Sequence, residues 1–248
     1  MSKTIAMMQP YWFPYFGYFQ LIASADAFVL GDNLQYQNPG WVNRNRFLSA
    51  GEPMLYTLPL KKAGHDLAIN QRELADDTAQ VMEKLLKTTS LNYAKAPYRD
   101  DVLALLEPLL RYPEKNLAEH LEHSVRQVCN FLQIETPIYR ASSLPVDELQ
   151  VQDKQDRVVK LTQHLGGTRY LNAIGGMELY DGEYFERHGI ELRFQRMDAL
   201  CYTQFKKAFV PNLSIIDMLM FNPVARVRQW LPCYSTHKPL ARLESPTF

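Results

Sequence analysis

The chain has 248 residues, 46% apolar and 22% charged, and its 27 basic and 27 acidic side chains cancel to a formal charge of zero. That balance excludes disorder over most of the length and a protein that coats nucleic acid. Cys129, Cys201 and Cys233 are too few and too scattered for a disulfide framework or a zinc knuckle, and they suit the cytoplasm.

The zero charge hides a segregation. Residues 1–64 carry +2, residues 65–192 carry −7 and residues 193–248 carry +5. If both basic ends line one cleft, that cleft attracts an anionic small molecule, such as a nucleotide, a nucleotide sugar or an activated amino acid. Solvated faces explain the pattern as well. The stretch from Ile5 to Ala25 is free of charge, but Gln9, Pro10, Pro14, Gly17 and Gln20 interrupt it. No membrane span is therefore expected.

Thr4–Met8 reads as a buried first strand stopped by Gln9-Pro10. An aromatic loop and a helix over Gly17–Ser24 follow, then a second buried strand, Ala27–Leu30, ending at Gly31-Asp32. Strand, helix and strand make a βαβ unit with a right-handed crossover. Arg46–Ser49 and Met54–Leu58 read as a hairpin around Ala50-Gly51-Glu52-Pro53. From about 76 to 133 the apolar spacing is helical in three runs, punctuated by Pro97, Pro108 and Pro113. This block is expected as a helical insertion in a single α/β domain spanning 1–248.

The α/β pattern returns with a strand at Ile138–Ala141, a helix at Gln155–Leu165 closed by Gly166-Gly167, and a strand at Arg169–Ile174. Gly175-Gly176, a helix over Met177–His188 and a strand over Ile190–Phe194 give a second βαβ unit. The expected fold is α/β, with a mainly parallel, Rossmann-like sheet. The last ten residues read as a tail.

In such sheets ligands bind outside the carboxyl ends of the strands, which nominates the residues leaving them. Gln9, Tyr11 and Tyr18 can offer hydrogen bonds beside stacking rings, although a packed aromatic core explains the same loop. Asp32 falls on the ligand edge and is the candidate general base, whereas Asp26 falls on the opposite edge, where a structural cap is expected. Arg44 and Arg46, two apart on an extended strand, share a face suited to a phosphate or carboxylate, with Asn43 and Asn45 opposite. An edge strand kept soluble by arginines is the alternative.

His65, following Lys61 and Lys62 in a glycine-containing loop, is the histidine candidate for proton transfer. Gly175 and Gly176 can bring backbone amides up to an anion, or simply allow a tight turn. His120 and His123 read as surface helix, so no metal site is expected. Asp217, in a mostly apolar helix capped by Ser214, needs a polar partner or a ligand.

Several stretches together resemble one known family. Gln-Pro-Tyr-x-Phe-Pro-Tyr-x-Gly-Tyr at 9–18, Ala25-Asp26 through Asp32, Gly40-Trp41-x-Asn43-Arg44-Asn45-Arg46, Asn92-Tyr93-x-Lys95-Ala96-Pro97-Tyr98 and Leu213-Ser214-Ile215-Ile216-Asp217 are similar to the WbqC-like family. Asn33 stands where that pattern often has a second acidic residue. The resemblance implies work in bacterial surface-polysaccharide biosynthesis, with glycine transfer as the activity attached to the family. The expected function is thus an aminoacyl- or acyl-type transferase acting on an amino-sugar precursor. The alternatives are a nucleotidyltransferase-like enzyme, or a nucleotide-sugar-binding or assembly protein without catalysis. Chain order is also similar to HIGH-type nucleotidyltransferases, but the paired histidines of that motif are absent. The sequence specifies no cofactor.

Overall fold

The computed structural model describes residues 2–145, 149–205 and 208–239. Five parallel strands form the sheet: β1 (Thr4–Met8), β2 (Ala27–Leu30), β5 (Ile138–Arg140), β6 (Arg169–Ala173) and β7 (Glu191–Met197). A sixth, β8 (Tyr234–His237), adds antiparallel to β7, and the spatial order is β5-β2-β1-β6-β7-β8. The chain thus moves outward from β1 through β2 to β5, then jumps back to the other side of β1. That reversal is the doubly wound order, and it places the crevice between the carboxyl ends of β1 and β6.

The pleat decides which helices cover which face. Ala6, Phe28 and Leu30 point into a core shared with α1 (Phe16–Ala23), α2 (Thr78–Asn92), α3 (Arg99–Leu110), α4 (Leu117–Leu132), α7 (Ile215–Phe221) and α8 (Val224–Gln229). Their neighbours Ile5, Met7, Ala27 and Val29 point the other way, against α5 (Lys154–His164) and α6 (Gly182–Arg187). β1 and β2 have apolar residues on both faces because both faces are covered.

The expected βαβ units and the three helices between 76 and 133 are present. Other details differ for local reasons. Pro108 lies inside α3, near its end. The hairpin is longer than expected: β3 (Arg44–Ser49) and β4 (Glu52–Thr57) are joined by Ala50 and Gly51, both at positive φ (51° and 80°). A two-residue turn of that kind leaves Glu52 and Pro53 in the strand. The helix expected over Met177–His188 is broken: a 3-10 turn over Ile174–Leu179 leaves β6, and Asp181 then caps α6 by accepting from the Glu183 amide. β8 has no sequence signature of its own, since an edge strand needs no apolar run. The tail expected over the last ten residues lies, from 240 onward, outside the described residues.

The aromatic loop is mostly core. Trp12, Phe13, Phe16, Tyr18 and Phe19 are buried, and Phe13 adopts φ +43°, a conformation costly for a bulky residue. Asn45 and Ser214 hold it there: Asn45 Nδ2 donates to the Trp12 and Phe13 carbonyls (3.1 and 2.6 Å), and Ser214 Oγ donates to the Phe13 carbonyl (2.9 Å).

Candidate functional site

Two regions at the ligand edge of the sheet carry the polar chemistry. The first is a cleft of about 600 Å³ built by the loops that follow β2 and β4. Backbone pairing frames it: Tyr36 N donates to Leu67 O, Ile69 N to Leu34 O, Asn70 N to Asp32 O, and Lys61 N to Glu73 O. Tyr36, Asn43, Lys61, Lys62, His65 and Arg72 line it beside Gln35, Gln37 and Asn38, and no carboxylate does.

Within the cleft, side chains are sorted between holding the wall and facing the space. Asn43 is fully engaged, accepting from the Tyr36 hydroxyl at 2.7 Å and donating to the Leu58 carbonyl at 2.8 Å, so it fixes the Tyr36 ring. Arg72 lies over that ring at 4.8 Å and donates to the Gly64 and Lys61 carbonyls, which ties down the 61–65 loop. Its Nε is buried without a hydrogen-bond partner. Burial raises the Tyr36 pKa, while the nearby Arg72 and Arg44 charges act to lower it. Lys61 pairs with Glu73 at 2.9 Å, and that hydrogen bond raises its pKa. Lys62 forms no ion pair among the described residues. His65 is exposed on the rim, its carbonyl accepting from Gln35 Nε2.

The second region lies at the carboxyl ends of β2 and β5. Asp32 is 1% exposed, and its carboxylate accepts from the Ser142 amide (2.9 Å), from the Ser142 hydroxyl and, at 3.5 Å, from Asn70 Nδ2. Ser142 itself is exposed. Beside Asp32, Asn33 Oδ1 accepts from an Arg157 guanidinium nitrogen, binding this edge to the first turns of α5. On the opposite edge Asp26 accepts from the Thr4 amide at 2.7 Å, as expected for a structural cap.

The other nominated residues fall outside the cleft. Gln9 and Gly175 leave β1 and β6 at the same sheet edge, flanking the crevice where strand order reverses. Open space surrounds the position a Cβ on Gly175 would take, whereas Asn172 crowds Gly176. Tyr18 is fully buried with its hydroxyl on the Gln9 carbonyl (3.0 Å), so it shapes the loop. Tyr11 packs at 5.6 Å from Tyr18, and burial, then Tyr15, raises its pKa. Arg44 and Arg46 do share one hairpin face as the alternation requires, both against Trp41 at 5.9 and 5.5 Å. Arg44 Nε donates to the Gly40 carbonyl and Arg46 to the Asn212 carbonyl.

The expected surface position of His120 is corrected. It is 2% exposed beneath Tyr112, its Nδ1 lacks a partner, and burial lowers its pKa to about 4. No group of residues able to hold a metal occurs among the described residues, and no helix there is long and apolar enough to cross a membrane. Arg72, Tyr36 and Ser142 are not among the residues that the sequence nominates. Arg72 sits in a segment with no periodicity, so only the pairing of 59–61 with 73–75 next to it reveals it. Ser142 could have been found, because it follows a parallel strand at the ligand edge.

Residues 9–229 match the WbqC-like protein family. The chain belongs to that family. An uncharacterized protein of Mycobacterium tuberculosis is 26% identical over 231 residues, covering 92% of this chain and 97% of its own length. No solved structure matches. The matched span includes both polar regions and the β1–β6 crevice.

Proposed function

We propose that this protein is a cytoplasmic transferase that takes an activated, anionic donor and modifies an amino-sugar precursor of a bacterial surface polysaccharide by aminoacyl or acyl transfer. The observation that carries the reading is the cleft lined by Lys61, Lys62, His65 and Arg72 without a carboxylate, beside the carboxyl end of β2 in a doubly wound sheet. Lys62 receives the donor's phosphate or carboxylate, with the positive charge of Arg72 in the cleft wall beside it. The amides of Gln35, Gln37 and Asn38 suit sugar hydroxyls. His65 on the rim can take the proton that an amine loses as it attacks the acyl carbon. Asp32 reaches the exposed surface through the Ser142 hydroxyl, which it holds.

A second reading, a nucleotide-sugar binder without catalysis, draws on one fact: both Asp32 oxygens are already occupied by Ser142 and Asn70. A thermal-shift series with ATP, nucleotide sugars and free amino acids separates the readings from a protein with no small ligand. Saturation at a hundredfold excess over Kd stabilises by about 2.7 kcal/mol. A nucleotide amino sugar or an activated acyl donor should raise the Tm, and transfer of the acyl or aminoacyl group from that donor to the sugar amine, with release of the donor's phosphate-bearing leaving group, then favours the transferase. No shift with any anion removes both readings.

A further inference from the structure

Apart from the cleft, the hairpin β3–β4 carries an unusual surface. Six large apolar side chains are exposed among the described residues, and three of them, Trp41, Met54 and Leu55, belong to this hairpin and its entry loop at 47%, 45% and 48% exposure. The other three, Leu91, Tyr139 and Leu179, lie on separate elements. Leu55 is the direct cross-strand partner of Arg46, and Arg46 packs against Trp41, so Trp41, Arg46 and Leu55 are contiguous. Arg44 adjoins them over the same indole. β4 pairs only with β3 among the described residues, leaving its outer edge free, with Pro53 also exposed.

The two arginines select the occupant. Neither has an acidic partner among the described residues: Arg44 donates to the Gly40 carbonyl, Arg46 donates to the Asn212 carbonyl, and Arg46 Nε is buried without a partner, so two positive charges stand at this face without a counter-charge. A second copy paired through the β4 edge would leave both arginine pairs on the outer β3 strands, three strands apart and still without a counter-charge, so that contact gives the guanidinium groups nothing to bind. A tryptophan, a leucine and paired guanidinium groups on one face of this hairpin match a lipid headgroup layer, where indole rings settle at the boundary and arginines bind phosphate.

We propose that this hairpin docks the protein peripherally on an anionic bilayer, with Trp41 and Leu55 entering the headgroup layer and Arg44 and Arg46 pairing with lipid phosphates. The full chain should sediment with vesicles of equimolar phosphatidylcholine and phosphatidylglycerol, and far less with phosphatidylcholine alone. Raising the salt should release it. Arg46→Ala should weaken partitioning about fivefold, the factor for one basic group near such a surface. Leu55→Ser and Trp41→Ser should weaken it as well, with thermal melting confirming that each variant folds. Equal binding to both vesicle types, no binding to the anionic ones, or binding unchanged in all three variants overturns the proposal. So does a wild-type dimer that Leu55→Ser dissociates while vesicles capture nothing.

Discussion

Two buried aspartates, Asp32 and Asp217, have similar exposure and opposite settings. Asp217 is enclosed: Tyr93 and Tyr202 hydroxyls donate at 2.8 and 2.7 Å and Gln204 Nε2 at 2.6 Å, and none of the three is an exposed residue. Tyr93 also accepts from the Leu48 amide, so the carboxylate anchors α7, the end of α2 and strand β3 to one another. Asp32 is closed from below but held by Ser142, an exposed residue at the sheet edge where ligands bind. A buried charge with only interior partners is a pin, while one that hands its hydrogen bond to the surface can serve a reaction.

The largest effect should come from the enclosed network. Asp217→Ala removes the acceptor of the Tyr93 and Tyr202 hydroxyls and one of the acceptors of Gln204 Nε2, which keeps the Val210 carbonyl, and at about 1–3 kcal/mol for each orphaned group the loss should reach roughly 3–5 kcal/mol in urea unfolding. A loss below about 1 kcal/mol would show that the three donors find other partners. Asp32→Ala should cost less, about 1–3 kcal/mol, because water can reach Ser142. Asp32→Asn sharpens the contrast: should the carboxylate serve as a base, turnover falls about 10²–10⁴-fold with stability close to the parent. Unchanged turnover would make Asp32 a second pin.

Acid titration probes the interior independently. The folded pKa of His120 is lowered to about 4, so between about 4 and the ordinary 6.5 the unfolded chain binds a proton that the folded chain does not. Stability therefore rises with pH across that window, by up to about 3 kcal/mol from this residue. Burial raises the pKa of Asp217, which acts with the opposite sign: stability falls as pH climbs from 3.8 through the folded value. Comparison with His120→Gln isolates the first slope, and a variant as steep as the parent would rule out His120 as its source.

The difference between the two aspartates also marks what the sequence makes legible. Asp32 was readable because it follows an apolar run at a strand's end, and parallel sheets put such residues at the ligand edge. Asp217 announced only that it needed partners. Its partners lie 13 to 124 residues away, and no local pattern connects Tyr93 to α7. The same limit applies to the site. Asn43 was nominated by its place beside two arginines, yet its side chain fixes Tyr36, because the ring and the Leu58 carbonyl reach it only after the hairpin folds. Arg72 lines the cleft through nonlocal backbone pairing. His120 reads as surface from its own helix alone, because Tyr112, from the preceding turn, is what covers it.

Binding at the cleft is the central claim, and calorimetric titration with a nucleotide sugar tests it most directly. Lys62→Ala should leave stability within about 0.5 kcal/mol of the parent, as for an ordinary surface change. It should weaken the complex roughly tenfold, consistent with loss of one charged hydrogen bond. Affinity should also fall with added salt, since the attraction is between charges. Parent-like affinity in Lys62→Ala at every salt concentration would contradict the assignment of the cleft as the anion site.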